Sequence, residues 1–128
     1  MCKVFTDVQV FMNAAGQTLS EENISQASLY HNLIVEEYSE YIAARNKNDD
    51  TEIIDACFDM MWVIVGYMLS RGWDCEKIWD EGALSNLKKI DRTTGKVIKR
   101  TDGKVLKPEG WKPPDFAKFA SKQENSTV

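Results

Sequence analysis

The amino-acid sequence predicts an all-α protein on three observations. Apolar residues recur at helical spacing through most of the first 90 positions. Gly16 and Gly72 stand where two of these periodic segments end, as glycines at helix C-termini commonly do. Strand-like sequence is confined to two short arms on either side of Thr101-Asp102-Gly103.

Four main helices are expected, followed by a short C-terminal hairpin and an extended segment. The helices are predicted over residues 5–15, 25–45, 52–71 and 75–89. Thr51 and Asp74 are the expected N-caps of the third and fourth helices, because their side-chain oxygens can accept hydrogen bonds from first-turn amides. The hairpin arms and one further helical turn are expected at residues 96–99, 104–107 and 115–120.

The chain of 128 residues is expected to fold as one domain over residues 1–120, with a disordered tail at 121–128. A hydrophobic content of 43% suffices for an ordinary core. The longest uncharged apolar run, Met60 to Leu69, is far shorter than the ~20 residues of a membrane span, and no signal-peptide pattern is present. An odd number of cysteines without a CxxC pair favours reduced thiols and a cytoplasmic protein.

The net charge of −4 conceals two halves of opposite sign. Residues 1–82 carry 15 acidic and 5 basic side chains, whereas residues 83–128 carry 5 acidic and 11 basic ones. An acidic half that holds metal and a basic half that holds phosphate would suit a triphosphate substrate. The alternative is that the basic half is an ordinary solvated segment.

Two clusters of carboxylates stand on the second and third predicted helices. The first covers about 100° of the helix circumference and consists of Glu36, Glu37 and Glu40. The second covers about 60° and consists of Glu52, Asp55 and Asp59. The third helix is otherwise apolar and has no Lys or Arg before its end, so its carboxylates are costly to bury without a cation. Hard divalent ions such as Mg²⁺ take carboxylate oxygens and commonly bridge them to phosphates.

Each cluster can also be interpreted as a solvated acidic face, and other kinds of site must be considered. A di-iron site would require Glu-x-x-His motifs, whereas the single histidine, His31, lies five residues before Glu36. The sequence contains no glycine-rich phosphate loop, GxSxG motif or Cys/His nucleophile pair. Phosphate recognition would therefore depend on metal, lysines and backbone amides.

The motif Glu36-Glu37-x-x-Glu40, followed by DACFD at 55–59, resembles the ExxE…ExxD signature of the MazG-like, all-α nucleoside triphosphate pyrophosphohydrolases. That superfamily includes dimeric dUTPases and phosphoribosyl-ATP pyrophosphohydrolases. A phage and bacterial branch of it is similar to this chain over the segments 59–74, 85–89, 102–108 and 111–115. The resemblance covers about residues 4–120 and implies an oligomeric four-helix bundle.

The resemblance implies a set of site residues. Glu37, Glu40, Asp55 and Asp59 are expected to hold Mg²⁺, for which Mn²⁺ can substitute. Glu36 and Glu37 are the catalytic candidates, with Glu36 as a ligand or as the base for the attacking water. The expected substrate contacts, for which surface solvation is the alternative, are Asn86, Lys89, Lys104 and Lys107.

One position departs from the signature, because Ala56 stands where the pattern has a Glu. Asp55 lies four residues before Asp59 and shares its helix face, so we expect it to take the ligand role. Glu52, seven residues before Asp59, is the alternative ligand.

The expected function is hydrolysis of a nucleoside or deoxynucleoside triphosphate to the monophosphate and pyrophosphate. A purine deoxynucleotide such as dGTP or dATP is one expected substrate, and dUTP and dCTP stay open. A base pocket could be lined by residues that are otherwise typical of a core, namely Phe11, Met12, Gln17 and Trp62.

The expected partners are the nucleotide and further copies of the chain, in a homodimer or homotetramer with an active site between subunits. Neither a membrane nor a nucleic-acid polymer is expected as a partner. The alternative function is a non-catalytic helical oligomer that binds a partner through its acidic face.

Overall fold

The computed structural model describes residues 2–120. Over these residues the protein is helical, and its only β pairing is one antiparallel bridge between Lys99 and Val105. The helices are α1 (Lys3–Ala14), α2 (Ile24–Asn46), α3 (Asp50–Ser70), α4 (Cys75–Leu87) and the one-turn α5 (Ala117–Ala120). The predicted all-α class with four main helices is confirmed. The tail predicted to be disordered, 121–128, lies outside the described residues.

The chain divides into two compact units, Met1–Glu76 and Lys77–Val128, and each is described by itself. In the first unit, α3 packs against both α1 and α2. Val8 and Met12 of α1 are fully buried, as the helical spacing of its apolar residues predicts. The single domain expected over residues 1–120 stays a prediction.

α2 and α3 form an antiparallel helical hairpin joined by the short turn at 47–49. Near the start of α2, the side-chain amide of Gln26 donates a hydrogen bond to the Oγ of Ser70 at the end of α3 (2.8 Å). One turn further along α2, the Tyr30 ring packs on Gly66. These contacts set the register of the two helices, and the register decides which side chains face each other closer to the turn.

α3 is capped by Asp49, and the expected cap, Thr51, was wrong. The Asp49 backbone is extended (φ −97°, ψ 96°), and its carboxylate accepts a hydrogen bond from the backbone N–H of Glu52 (3.2 Å). Thr51 lies inside the first turn of the helix. Asp and Thr are both good N-cap residues, so side-chain preference alone does not choose between Asp49 and Thr51. The conformation of the preceding turn decides where the helix begins, and Asn48 in that turn adopts a left-handed φ of 54°.

α3 is long and apolar enough to cross a membrane by length and composition alone. The core helix of a globular protein passes the same test. Buried residues in the second half of α3, which pack within the first unit, are Val63, Val65, Gly66, Leu69 and Ser70.

The second unit contains most of α4, a hairpin turn and an extended segment. The backbone N–H of Arg100 donates to the Lys104 carbonyl (2.8 Å), and that of Leu106 donates to the Ile98 carbonyl (2.7 Å). The predicted hairpin therefore forms around a single bridge. α4 ends at Leu87, two residues before its predicted end.

Gly66→Ala is predicted to destabilise the protein by about 1–3 kcal/mol, because a Cβ there would overlap the Tyr30 ring. Tyr30 is 3% exposed and donates a hydrogen bond to Gln17 Oε1 (2.7 Å), so it cannot move away freely. Gly82→Ala is the matched control, since a Cβ there would meet only the end of the Phe116 ring at 3.3 Å. Chemical denaturation measures both variants, and equal losses would contradict the close packing of α2 on α3.

Candidate active site

Three glutamates of α2 place their carboxylates together. One oxygen from each of Glu36, Glu37 and Glu40 can be chosen so that all three lie within 4.8 Å of one another. Glu36 and Glu40 are exposed, whereas Glu37 is partly buried. Within residues 2–120, no other group of three acidic, histidine or cysteine side chains has this spacing. A divalent ion can bridge oxygens at such separations.

Glu37 is the carboxylate at which α2 meets α3. Burial raises the pKa of Glu37 above its ordinary value, and the neighbouring charges of Glu40, Asp59 and Glu36 raise it further. A hydrogen bond with the Asp59 carboxyl also raises this pKa, and two carboxyls can form one only if a proton lies between them. Among the described residues, no hydrogen-bond partner reaches the buried Oε1 of Glu37.

A positive charge would stabilise this arrangement. Two ionised carboxylates in contact repel each other, and partial burial strengthens the repulsion. A shared proton relieves it at low pH, and a divalent cation would relieve it at neutral pH while also supplying a partner for the orphaned Oε1 of Glu37. Three carboxylates thus lie close enough to share a divalent cation, namely Glu36, Glu37 and Glu40, and Asp59 beside Glu37 is a further candidate ligand.

The structure separates the three acids that sequence analysis grouped on α3. Asp59 is partly buried beside Glu37. Asp55 and Glu52 are exposed, and neither is among the groups that raise the pKa of Glu37. None of the three acids belongs to the close group of ligand atoms found in residues 2–120. Ala56, which replaces the Glu of the signature, is 2% exposed and faces the interior. The assignment of Asp55 as a ligand stays a prediction.

In the second unit, three of the four expected phosphate contacts gather around Trp111. The Nζ atoms of Lys89 and Lys107 each lie 5.1 Å from the centroid of the Trp111 ring. Lys89 also donates a hydrogen bond to the side-chain oxygen of Asn86 (3.0 Å). The indole N–H donates to the backbone carbonyl of Ser85 (2.8 Å), which ties the ring to the last turn of α4.

Lys104, the fourth expected contact, belongs to the hairpin turn. Its backbone N–H donates to Asp102 Oδ1 (3.1 Å), and its side chain is exposed. Sequence reasoning missed Trp111 as a functional candidate because its hydrogen-bond partner Ser85 lies 26 residues away. The only available signal was the position of Trp111 within the resemblance segment 111–115.

Two of the four candidates for a base pocket belong to the interior. Met12 is fully buried, and Gln17 accepts the hydrogen bond of the Tyr30 hydroxyl. Phe11 is 54% exposed and makes an edge-to-face contact with Trp62, with ring centroids 5.5 Å apart. Trp62 is partly buried against the core, so Phe11 is the most exposed of the four.

Glu37→Gln is predicted to stabilise the metal-free protein at neutral pH. A carboxyl whose pKa is raised on folding contributes stability that is fully present below its ordinary pKa and is lost as the pH rises through the folded value. The amide stays uncharged, so the variant should keep its stability across this window.

Thermal unfolding in excess chelator from acidic to neutral pH measures this effect. The exposed Glu21→Gln removes the same charge elsewhere and serves as the control. Identical pH profiles for the wild type and Glu37→Gln would show that the Glu37 carboxyl is not under electrostatic strain.

The helices that carry the acidic cluster belong to a segment that matches a known protein family. Residues 10–86 match the phosphoribosyl-ATP pyrophosphohydrolase family, over a span that contains the acidic cluster and Asp59. No curated protein matches the chain. The family match extends over more than half of the sequence and agrees with the helical fold. The chain therefore belongs to the phosphoribosyl-ATP pyrophosphohydrolase family, within the MazG-like all-α superfamily.

Proposed function

We propose that the protein hydrolyses a nucleoside or deoxynucleoside triphosphate to the monophosphate and pyrophosphate, with Mg²⁺ or Mn²⁺ bound by carboxylates of α2 and α3. The observation that carries the proposal is the group of Glu36, Glu37 and Glu40, whose carboxylate oxygens lie within 4.8 Å of one another and in which a buried oxygen of Glu37 has no partner among the described residues. Family membership supports a nucleotide pyrophosphohydrolase activity in general.

The finer choice of substrate is also part of the proposal. The first candidate substrates are purine deoxynucleotides such as dGTP and dATP. The pyrimidine deoxynucleotides dUTP and dCTP are further candidates. Phosphoribosyl-ATP is a second candidate, because the name of the matching family specifies it.

The carboxylates would have two different roles in this reaction, metal binding and proton acceptance. Glu37, Glu40 and Asp59 would hold the cation, with Asp55 as a further ligand reached from the exposed side of α3. A bound divalent cation neutralises charge on phosphate oxygens and makes water more acidic. Glu36 is exposed beside these residues and would accept the proton of the attacking water.

The products place the broken bond in the α–β bridge. The water oxygen bonds to one of the two phosphorus atoms of that bridge, and the bond from the same phosphorus to the bridging oxygen breaks. The bridging oxygen leaves with pyrophosphate if the α-phosphorus is attacked and with the monophosphate if the β-phosphorus is attacked. Side chains of the second unit that would bind the phosphates by charge-assisted hydrogen bonds are Asn86, Lys89, Lys104 and Lys107.

Self-association into a homodimer or homotetramer is part of the proposal. α3 bears a stripe of apolar side chains that are 46–69% exposed, namely Ile54, Phe58, Met61 and Ile64. On α2, Val35 and Tyr38 are more than half exposed. A second copy of the chain would cover such a surface.

We further propose a cytoplasmic protein without membrane or nucleic-acid partners, in keeping with the free thiols of Cys2, Cys57 and Cys75.

The alternative function is a non-catalytic helical oligomer that binds a partner through the acidic face of Glu36, Glu37 and Glu40. Such a protein would release no pyrophosphate from any nucleotide. The substrate panel described next therefore separates the two functions.

Activity is predicted to require a divalent ion, because no ion pair in the described part of the chain neutralises the carboxylates of the site. A panel of all NTPs, dNTPs and phosphoribosyl-ATP, with Mg²⁺ or Mn²⁺, should identify at least one substrate from which pyrophosphate is released. Excess chelator should abolish the release. Hydrolysis at the full rate in chelator would contradict the metal-dependent reaction.

Asp59→Asn and Glu40→Gln are each predicted to lower kcat/KM by roughly a hundredfold or more while the fold survives. Glu21→Gln is the charge-matched control and should retain activity. Asp55→Asn should also lose activity, whereas Glu52→Gln should not. An active Asp55→Asn together with an inactive Glu52→Gln would transfer the ligand role to Glu52.

A further inference from the structure

The side chains of Lys89 and Lys107 converge on one indole although both carry positive charge. Each Nζ lies 5.1 Å from the centroid of Trp111, so the two ammonium groups are separated by at most twice that distance. Among residues 2–120, neither lysine forms an ion pair with a carboxylate. The surrounding half of the sequence, residues 83–128, is itself basic. The described part of the protein therefore concentrates positive charge here without neutralising it.

Both lysines reach Trp111 through local features of the chain. Lys89 follows the end of α4, where a helix C-terminus attracts cations, and its ammonium group is held by Asn86. Lys107 follows the hairpin and precedes Pro108. In the turn that follows, the backbone N–H of Trp111 donates to the Pro108 carbonyl (3.1 Å), which brings the electron-rich Trp111 ring back to the Lys107 ammonium group.

Trp111 is itself fixed to α4. Its indole N–H donates to the Ser85 carbonyl, which is among the last carbonyls of the helix and has no partner inside it. The ring thus has a defined place on the second unit, and the ammonium groups of two long side chains lie over it. Ordering these side chains in advance lowers the entropic cost of binding a ligand to both.

We propose that Trp111 positions Lys89 and Lys107 as a polyphosphate-binding site in the second unit, which binds the triphosphate tail of the substrate without requiring the carboxylates or a metal. The identity of the natural ligand rests on the proposed function. A polyphosphate chain can engage both ammonium groups at once, whereas a single phosphate group satisfies them less well. Trp111 acts through the lysines and is a positioning residue.

Binding of inorganic tripolyphosphate to the full-length protein, measured by calorimetry in excess chelator, tests the proposal. The wild type should bind it saturably and bind inorganic phosphate more weakly. Lys107→Ala should weaken tripolyphosphate binding about ten- to hundredfold, the loss expected for one charge-assisted contact. Lys88→Ala and Lys112→Ala remove the same charge from adjacent positions and should cause clearly smaller losses.

Variants of Trp111 test the positioning role. Trp111→Leu should weaken tripolyphosphate binding about as much as Lys107→Ala, and Trp111→Phe should recover part of the loss because it keeps an aromatic ring. The protein has four tryptophans, so the difference between the wild type and Trp111→Phe isolates the Trp111 fluorescence, which should change on binding. Lys107→Ala keeps the hydrogen bond from the Trp111 indole to the Ser85 carbonyl. If Trp111→Leu fails to fold, the effect of Lys107→Ala on tripolyphosphate binding therefore still tests the site.

The outcomes distinguish this proposal from the proposed function. If a nucleotide is hydrolysed, Lys107→Ala and Trp111→Leu should raise KM with little change in kcat. If none is hydrolysed but tripolyphosphate binds as described, the binding site stands and the proposed function fails. Absence of tripolyphosphate binding by the wild type, or equal effects of Lys107→Ala and Lys88→Ala, would overturn the site.

Discussion

The contact between the carboxyls of Glu37 and Asp59 is the constraint on which the candidate active site depends. Both groups are partly buried at the meeting of α2 and α3, and one oxygen of Glu37 has no partner in the described chain. Folding alone does not favour such a contact, because burial and like charge both oppose ionisation. A bound cation would convert the same arrangement from an electrostatic cost into a ligand set, which Glu36 and Glu40 beside it would complete.

The helical hairpin holds these carboxyls together by packing at its far end. Gln26 is bonded to Ser70, and Tyr30 fills the space that the missing side chain of Gly66 leaves open. Because both helices are continuous from these contacts to the turn at 47–49, the register fixed there extends to the acidic residues. The site is thus built on rigid elements, where repulsion between acids cannot easily be relieved by backbone movement.

Helical spacing and glycine positions were sufficient to predict the helices and their order. They could not choose between Asp49 and Thr51 as a cap, because both side chains suit that position and the choice depends on the conformation of the turn. A helical wheel also groups Asp55 with Asp59, but it does not show which side of α3 the neighbouring helix covers. In the folded chain Asp55 is exposed and Ala56 is buried.

The periodicity of apolar residues could not predict contacts between residues that are distant in the sequence. The convergence of Lys89 and Lys107 depends on Trp111 docking onto α4, and no local pattern in the sequence encodes that contact. The lysines could be selected as candidates from charge and resemblance, whereas the residue that gathers them became visible only in the folded chain.

The most direct test of the metal site is the melting temperature of the protein as a function of Mg²⁺ or Mn²⁺ concentration, without nucleotide. A ligand that binds only the folded state stabilises it by mass action, so the melting temperature of the wild type should rise with ion concentration. Asp59→Asn, which removes one of the two carboxyls in contact, should lose most of this rise, whereas Glu21→Gln should retain it. A wild-type melting temperature that does not respond to either ion would contradict the account.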